Sequence, residues 1–311
     1  MRKMMKVIGI ILVIIILLIV IVFVLLTKRP AVPNDYNENV KTGGLVEKTY
    51  LEMGNYDVSY FESPAMSSFL KYEIFYPSDL SKSNEKYPVV VFVNGTGVKG
   101  TKYQALQKHL ASWGFITIAT EEEYAWNGFS SEMCVRYISA LNEYDGEVNN
   151  QKNNFYHKID LNNIGITGHS QGGIGVINAI TDQKHSNIYK AAVSLSSGNK
   201  LMSHALQWDY DETLIKTPIM MISSTGDTDS KLVPLNGLQD LYESVPEDVS
   251  KIMARRNNAD HGEMLYFSDG YVTAWFMYWL KADENAKKAF FDDSAEILSN
   301  SLYQDQISNL E

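Results

Sequence analysis

One pentapeptide of this chain has the spacing of a nucleophilic serine held in a sharp turn, Gly168-His169-Ser170-Gln171-Gly172. An apolar run precedes it and a helix-like segment follows, which is the strand–turn–helix context that a G-x-S-x-G motif needs. Glycine suits both ends, because a side chain there would collide with the neighbouring strand and helix. The pattern therefore predicts Ser170 as a nucleophile whose hydroxyl stands clear of the backbone.

Such a serine needs a base to take its proton, and the base needs an orienting acid. In sites of this kind the chain order is serine, acid, histidine. The segment Thr225-Gly226-Asp227-Thr228-Asp229 follows a later strand-like run. Its spacing favours Asp229 as the acid over Asp227, which we expect to cap the turn. The alternative is that both carboxylates are merely solvated.

The base should follow the last strand of the sheet, as Asn258-Ala259-Asp260-His261-Gly262 does. Gly262 is expected to let this loop turn tightly while His261 points back toward the serine. We interpret His169 as a packing residue whose side chain points away from the site. The remaining histidines fit less well, since they lie inside a predicted helix, before the acid or in polar connections. These are His109, His157, His185 and His204.

Acyl transfer also needs two N–H donors aimed at the oxyanion that forms on the substrate, and the loss of one typically costs about 10²–10³ in rate. One donor should be the N–H of Gln171, which follows the serine. The other is predicted in the loop Asn94-Gly95-Thr96-Gly97, which can bring the N–H of Thr96 inward. The glycosylation sequon at Asn94 is interpreted as accidental, because it lies at a strand end over the site.

Three aromatic residues that follow predicted strands are candidates for substrate contact, with packing at the sheet edge as the alternative: Tyr124, Trp126 and Trp208. The chain has no glycine-rich phosphate loop, no H-E-x-x-H motif and no paired cysteines, so the sequence predicts neither a metal site nor a cofactor. A net charge of −10 gives no basic surface for nucleic acid.

The elements that must position these residues alternate between strand and helix from Pro88 onward. Strands are predicted at 70–77, 88–93, 115–119, 164–167, 191–195, 218–222 and 251–254, and helices at 103–113, 131–144, 170–180 and 271–280. The first strand alternates in polarity, which is typical of an antiparallel strand. The later alternation predicts an α/β fold, in which a mostly parallel sheet has helices on both faces and binds ligands beyond the carboxyl ends of its strands.

The first 26 residues predict a separate element. Residues 7–26 are continuously apolar and would be roughly 30 Å long as a helix, enough to cross a bilayer. Arg2, Lys3 and Lys6 precede this run, so the positive-inside rule places the N-terminus in the cytoplasm, although Lys28 and Arg29 follow on the other side. The alternative is a cleaved signal peptide, whose apolar region would usually be about 7–15 residues and end in small residues.

Residues 27–44 contain two prolines, several asparagines and a glycine pair, and we interpret them as a tether. Residues 45–311 then form one catalytic domain that is large enough for a well-buried core. Cys134 is the single cysteine, so no intrachain disulfide can form, which is ordinary for a bacterial surface protein. The sequence predicts a single-pass cell-membrane protein with its catalytic domain outside the cytoplasm. It leaves the oligomeric state open.

With these residues identified, the chain from about 87 to 281 resembles the α/β-hydrolase superfamily, and within it the dienelactone-hydrolase-like and cutinase-like polyester hydrolases. The resemblance rests on Ser170, Asp229 and His261 and on the segments 91–96, 110–115, 168–173, 217–218 and 273–275. It implies a triad of those three residues, an oxyanion hole at Thr96 and Gln171, and a cleft lined by Trp208.

The chain departs from these hydrolases at three points. Thr96 stands where they usually have an aromatic residue, and a chain with one cysteine cannot form their C-terminal disulfide. They are also secreted without an anchor, whereas this chain is predicted to be anchored. The departures concern the substrate and its access, so the resemblance implies an ester hydrolase without fixing a polymer as its substrate.

The sequence as a whole predicts a membrane-anchored extracellular serine esterase that acts on a small or lipid-like ester through an acyl-enzyme intermediate. An acyltransferase to a cell-envelope acceptor would use the same triad. The alternative of another class is a non-catalytic surface binding module on a hydrolase fold, although a pure binder has no need of an intact Ser-Asp-His set.

Overall fold

The β-branched run that begins near Pro88 forms an inner strand of a nine-stranded sheet. The computed structural model describes residues 30–292 and 294–310, and the residues from Val32 onward belong to one compact unit. The strands are β1 (Val58–Pro64), β2 (Lys71–Pro77), β3 (Tyr87–Val93), β4 (Ile116–Thr120), β5 (Glu147–Val148), β6 (Gln151–Lys152), β7 (Ile159–His169), β8 (Tyr189–Leu195), β9 (Ile219–Ser224), β10 (Lys251–Arg256) and β11 (Tyr303–Ser308).

Helices connect most of these strands. In the described part of the chain they are α1 (Tyr36–Asn39), α2 (Leu45–Leu51), α3 (Gln104–Ser112), α4 (Phe129–Glu143), α5 (Gln171–Thr181), α6 (Lys200–Ala205), α7 (Asp227–Leu232), α8 (Leu235–Ser244), α9 (Asp269–Lys281), α10 (Glu284–Lys287) and α11 (Glu296–Ser299). The predicted strands and helices are all present, with bounds that differ by a few residues.

The large sheet has the strand order β1-β2-β4-β3-β7-β8-β9-β10-β11. The neighbours from β4 through β10 are parallel, whereas β2 runs antiparallel to β1 and β4, and β11 runs antiparallel to β10. Parallel neighbours need crossover connections, which the helices provide. The prediction of a mostly parallel sheet is confirmed, and β5 and β6 form a separate small hairpin.

The sheet is covered on both faces. Val89 and Val91 of β3 are fully buried and belong to a core that α4, α5 and α8 share. Alternate side chains of a strand point to opposite faces, so Phe92 faces the other layer, which includes α3 and α9. Burial on both faces explains why the inner strands are almost continuously apolar.

The carboxyl ends of the parallel strands meet at one edge of the sheet. The loop 94–97 follows β3, Ser170 follows β7, α7 follows β9, and the His261 segment follows β10. Four groups that are far apart in sequence are thereby gathered at the edge where α/β sheets place their ligands.

Part of the predicted tether is packed against the domain. Tyr36 of α1 is buried, and its hydroxyl donates to Asp269 Oδ2 at 2.5 Å. The Glu296 carboxylate accepts the N–H groups of Val46 and Glu47, both at 2.7 Å, at the N-terminus of α2. The ordered domain therefore begins before residue 45, because the N-terminal segment is held by residues more than 200 positions away in sequence.

The predicted membrane span at residues 7–26 lies outside the described residues. Within the residues that are described, no helix combines the length and the apolar composition that crossing a bilayer requires. The anchor and the cytoplasmic N-terminus stay predictions.

Candidate active site

Ser170 occupies a strained turn between β7 and α5. Its backbone has φ 59° and ψ −124°, a conformation that side-chain-bearing residues rarely adopt. A Cβ atom on Gly168 would lie 2.6 Å from the carbonyl carbon of Gly172, which is too close. A Cβ atom on Gly172 would overlap the carbonyl of Val93. Both glycines are therefore required sterically, as the G-x-S-x-G pattern predicts, and the turn holds Ser170 at the edge of the sheet.

Asp229 and His261 form a hydrogen-bonded pair beside this turn. His261 Nδ1 lies 2.6 Å from Asp229 Oδ1, and the aspartate is fully buried whereas 18% of the histidine side chain is exposed. The other carboxylate oxygen, Oδ2, accepts the N–H of Ser224 at 2.5 Å. A carboxylate only accepts hydrogen bonds, so the pair fixes the proton on Nδ1 and leaves Nε2 free to accept one.

The structure separates the two candidate acids. Asp227 is exposed, whereas Asp229, in the same first turn of α7, is buried and lies against His261. The two aspartates lie in the short helix α7, whose N-cap residue is Gly226. Asp229 is thus the carboxylate that the fold places against the imidazole.

The acid and base segments are fastened to each other. The Ser224 hydroxyl donates to the carbonyl of Ala259, and Asn258 N–H donates to Thr225 Oγ1 at 2.9 Å. A Cβ on Gly226 would overlap the Ala259 carbonyl, so glycine permits this close approach. These contacts hold Asp229 and His261 in register although 32 positions separate them.

His261 begins a short 3₁₀ helix, His261–Leu265, that has a capping box. Asp260 Oδ1 accepts the His261 N–H at 2.9 Å, and Glu263 Oε2 accepts the Asp260 N–H at 2.7 Å. A Cβ on Gly262 would meet open space, and Gly262 is not among the glycines with positive φ. The expectation that Gly262 is needed for a tight turn is therefore wrong, and the capping box orients the segment.

His169 is buried, as the packing interpretation expects, but it packs against the site. Its Nε2 lies 2.7 Å from the backbone oxygen of His261, and the two rings are 4.5 Å apart. Burial, reinforced by the neighbouring His261, lowers the pKa of His169 to about 3. The ring is neutral at physiological pH, and its N–H donates to the His261 carbonyl.

The loop 94–97 passes directly over the serine turn. A Cβ on Gly95 would lie 3.8 Å from Ser170 Cβ. Val98 N–H donates to Gly95 O at 3.1 Å, and Gly97 has φ +67°, as a type II turn requires at its third residue. Thr96 is the second residue of this turn, so its N–H lies outside the turn's own hydrogen bond.

Two buried side chains fix this loop. The Tyr103 hydroxyl accepts the Gly95 N–H at 3.0 Å, and burial raises the pKa of Tyr103 to about 12. Asn94 Nδ2 donates to the carbonyls of Thr120 and Glu122 at 2.7 and 2.8 Å. Asn94 is only 1% exposed, which agrees with interpreting its sequon as accidental.

Most of the predicted site residues border one open pocket with a volume of about 180 Å³. Its lining includes Ser170, His261, Thr96, Gln171 and Trp208. Tyr124 and Trp126 lie outside this set: Tyr124 is exposed, and Trp126 packs against the core under α4 and α5.

Sequence reasoning missed several residues that position the site. The side chains of Tyr103, Ser224 and His169 bind backbone groups outside their own elements. Their partners are Gly95 N–H, Ala259 O and His261 O, and no local pattern reveals these pairings. The Asp260–Glu263 capping box was detectable, because an acidic residue followed three positions later by Glu is the sequence signal of such a box.

The mostly parallel strand order and the strained serine turn between β7 and α5 are those of an α/β-hydrolase fold. The sequence matches the PET hydrolase-like family over residues 39–305, and the chain belongs to that family of polyester hydrolases. It is also similar to the bis(hydroxyethyl) terephthalate hydrolase of Streptomyces coelicolor, with 24% identity over 221 residues. The match covers 70% of this chain and 64% of that relative's length.

Proposed function

We propose that this protein is a serine hydrolase that cleaves carboxylic esters through a Ser170–His261–Asp229 triad. The observation that carries the proposal is the buried Asp229–His261 hydrogen bond of 2.6 Å beside a serine in a strained turn, with serine and histidine lining one pocket. Family membership supports the same reaction class.

In this mechanism Ser170 Oγ attacks the ester carbonyl while His261 Nε2 takes its proton. The resulting imidazolium lies against the Asp229 carboxylate, which stabilises the charge and keeps Nδ1 protonated. The N–H groups of Thr96 and Gln171 bind the oxyanion. His261 then protonates the leaving alcohol. In the second half of the reaction a water molecule attacks the acyl-enzyme while His261 Nε2 takes its proton, and that proton passes to Ser170 Oγ as the free acid leaves.

We propose small, soluble esters as substrates. The pocket is open and modest in volume, and the S. coelicolor relative is named for a small diester, bis(hydroxyethyl) terephthalate. From the sequence we further propose that residues 7–26 anchor the domain to the outer side of a cell membrane.

The test uses Ser170→Ala and Asp227→Asn in the full-length protein with a short-chain nitrophenyl ester. Ser170→Ala should remove turnover above the rate of the free reaction, because no other nucleophile replaces the hydroxyl. Asp227→Asn changes an exposed carboxylate on the same helix and should keep activity within about twofold. Hydrolysis that survives Ser170→Ala in a folded protein would refute the assignment.

A second measurement separates hydrolysis from acyl transfer. An added alcohol or sugar competes with water for the acyl-enzyme, so the ratio of new ester to free acid reports the preferred acceptor. We expect free acid to dominate, and a dominant transfer product would replace the hydrolase proposal with an acyltransferase.

A further inference from the structure

Two buried polar side chains at the edge of the pocket have no hydrogen-bond partner. Both the Nε2 and the Oε1 of Gln171 are unpartnered among the described residues, and so is Ser196 Oγ. The two residues are each only 1% exposed, and both line the pocket that contains Ser170 and His261. An unpartnered buried polar group usually costs about 1–3 kcal/mol, so these three atoms call for a functional explanation.

Ser196 shows a second departure from ordinary structure. It follows β8 with φ +44°, a strained conformation for a residue other than glycine. Its N–H donates to Ile222 O at 2.7 Å, which fastens the backbone at the sheet edge. Backbone strain of this kind concentrates at ligand sites, and here it coincides with an unpartnered hydroxyl.

The rest of the pocket gives these atoms an apolar setting. Among the described residues that line it, His261 is the only one with a side chain that can carry charge. The apolar side chains among the lining residues are Ile174, Met202, Leu206, Trp208 and Leu232. In such surroundings a hydrogen bond to a ligand is stronger than it would be in water.

We propose that Gln171 and Ser196 form a polar recognition site for a hydroxyl group on the acyl chain of the substrate, so that the enzyme prefers hydroxyacyl esters. The inference rests on the proposed function, since it places the acyl chain in the pocket beside Ser170. Gln171 then has two roles: its backbone N–H faces the oxyanion, and its side chain selects the acyl group.

The chemistry of the three atoms selects a hydroxyl among polar groups. A hydroxyl donates to Gln171 Oε1 and accepts from Gln171 Nε2 or from Ser196, so it satisfies both ends of the amide. A carbonyl accepts only and leaves Oε1 unpaired. A carboxylate would bring a charge into a pocket wall that offers no cationic partner except His261, which the mechanism occupies.

The experiment compares pairs of methyl esters that have nearly the same shape. Methyl 3-hydroxybutyrate is paired with methyl 3-methylbutyrate, and methyl 6-hydroxyhexanoate with methyl heptanoate, so that a methyl group replaces each hydroxyl. Acid release is followed by pH-stat, and kcat/KM is expressed per active site titrated with a fluorophosphonate. For at least one pair we expect the hydroxy ester to be preferred about tenfold or more.

The variants Gln171→Met and Ser196→Ala test whether these residues carry the preference. Each should reduce the hydroxy-to-methyl ratio severalfold toward one, and the ratio is the readout because it does not depend on the absolute rate. Ser131→Ala is the matched control, since Ser131 Oγ is also buried and unpartnered but belongs to α4 and not to the pocket lining. It should leave the ratio unchanged.

The outcomes distinguish the two proposals. Equal rates for both members of every pair, or a preference that survives both pocket variants, would overturn the recognition site while the hydrolase stands. If no ester of either series were cleaved and Ser170 did not react with the fluorophosphonate, the proposed function would fail, and the recognition site would fail with it.

Discussion

Replacing Asp229 with asparagine changes a single atom of the buried pair and tests how the proposed triad works. The two carboxylate oxygens accept two separate donors, His261 Nδ1–H at 2.6 Å and Ser224 N–H at 2.5 Å. Asparagine has one acceptor oxygen and one NH₂ group in the same positions. One of the two donors must therefore face a second donor.

The fold decides which donor loses its acceptor. Ser224 N–H belongs to the last residue of β9, and its position is fixed by the sheet. The asparagine oxygen should therefore turn toward Ser224, and its NH₂ group toward His261. An imidazole facing NH₂ must accept through Nδ1 and carry its proton on Nε2, where it cannot take the proton of Ser170. Loss of the correct tautomer lowers kcat by about 10⁴ in a Ser-His-Asp site.

The assay is kcat for a short-chain nitrophenyl ester at pH 7.5, with the unfolding midpoint in urea as a check on the fold. Asp229→Asn should lose about 10⁴ in kcat, whereas Asp227→Asn should stay within about twofold. Phosphonylation of Ser170 should slow in parallel with kcat, since both need the same proton transfer. A folded Asp229→Asn protein that keeps more than a tenth of wild-type activity would refute the tautomer argument and the role of Asp229.

Three further predictions concern the residues that shape and support the site. Gly168→Ala should lower Tm by roughly 5 °C or more, since its methyl group overlaps the Gly172 carbonyl, whereas Gly262→Ala, which meets open space, should change Tm by no more than about 1 °C. Burial lowers the pKa of His169 to about 3 in the folded protein, against about 6.5 in the unfolded chain, so the unfolded chain takes up a proton as pH falls below about 6.5 and the free energy of unfolding decreases. Between pH 7 and pH 5 this histidine should reduce the free energy of unfolding in urea by up to about 2 kcal/mol. In His169→Gln the pH dependence of stability should be weaker by the same amount. Tyr36→Phe should cost about 2 kcal/mol in the same assay, because it removes a buried hydrogen bond to the Asp269 carboxylate; a loss below about 0.5 kcal/mol would show that the N-terminal segment is not held by this contact.

The parts of the site that the sequence predicts well are governed by local sterics or by chain order. Gly168 is required by its contact with Gly172 inside the turn, and Gly172 by the close approach of Val93 at the end of the neighbouring strand, and the G-x-S-x-G pattern predicts both. Asp229 and His261 follow from the alternation of strands and helices, because parallel strands bring their carboxyl ends to one edge. The same alternation predicts the sheet.

The parts that the sequence does not predict depend on contacts between distant segments. Strand β11 pairs with β10 at the sheet edge, but its sequence, Tyr303-Gln304-Asp305-Gln306-Ile307-Ser308, has little apolar character. Tyr36 reads as part of a polar tether until Asp269, 233 positions away, supplies its partner. Tertiary contacts of this kind override local composition, so a segment whose composition is typical of a tether can pack against a domain.

The surroundings of His169 and Gly262 also depend on contacts that the local sequence does not predict. The position of His169 in the turn predicts burial, but its hydrogen bond to the His261 carbonyl depends on how β10 is placed relative to β7. Gly262 suggested a tight turn, whereas the Asp260 and Glu263 side chains shape that segment. Glycine allows many backbone conformations, so its presence alone does not show that one of them is used.

Mass spectrometry of the protein after treatment with diethyl p-nitrophenyl phosphate tests most directly whether Ser170 is the nucleophile. The proposed mechanism predicts one diethylphosphoryl group per chain, located on Ser170 by peptide mapping, absent from Ser170→Ala and formed far more slowly in His261→Ala. An unmodified Ser170 in a preparation that hydrolyses esters, or a single adduct on another residue, would contradict the central claim.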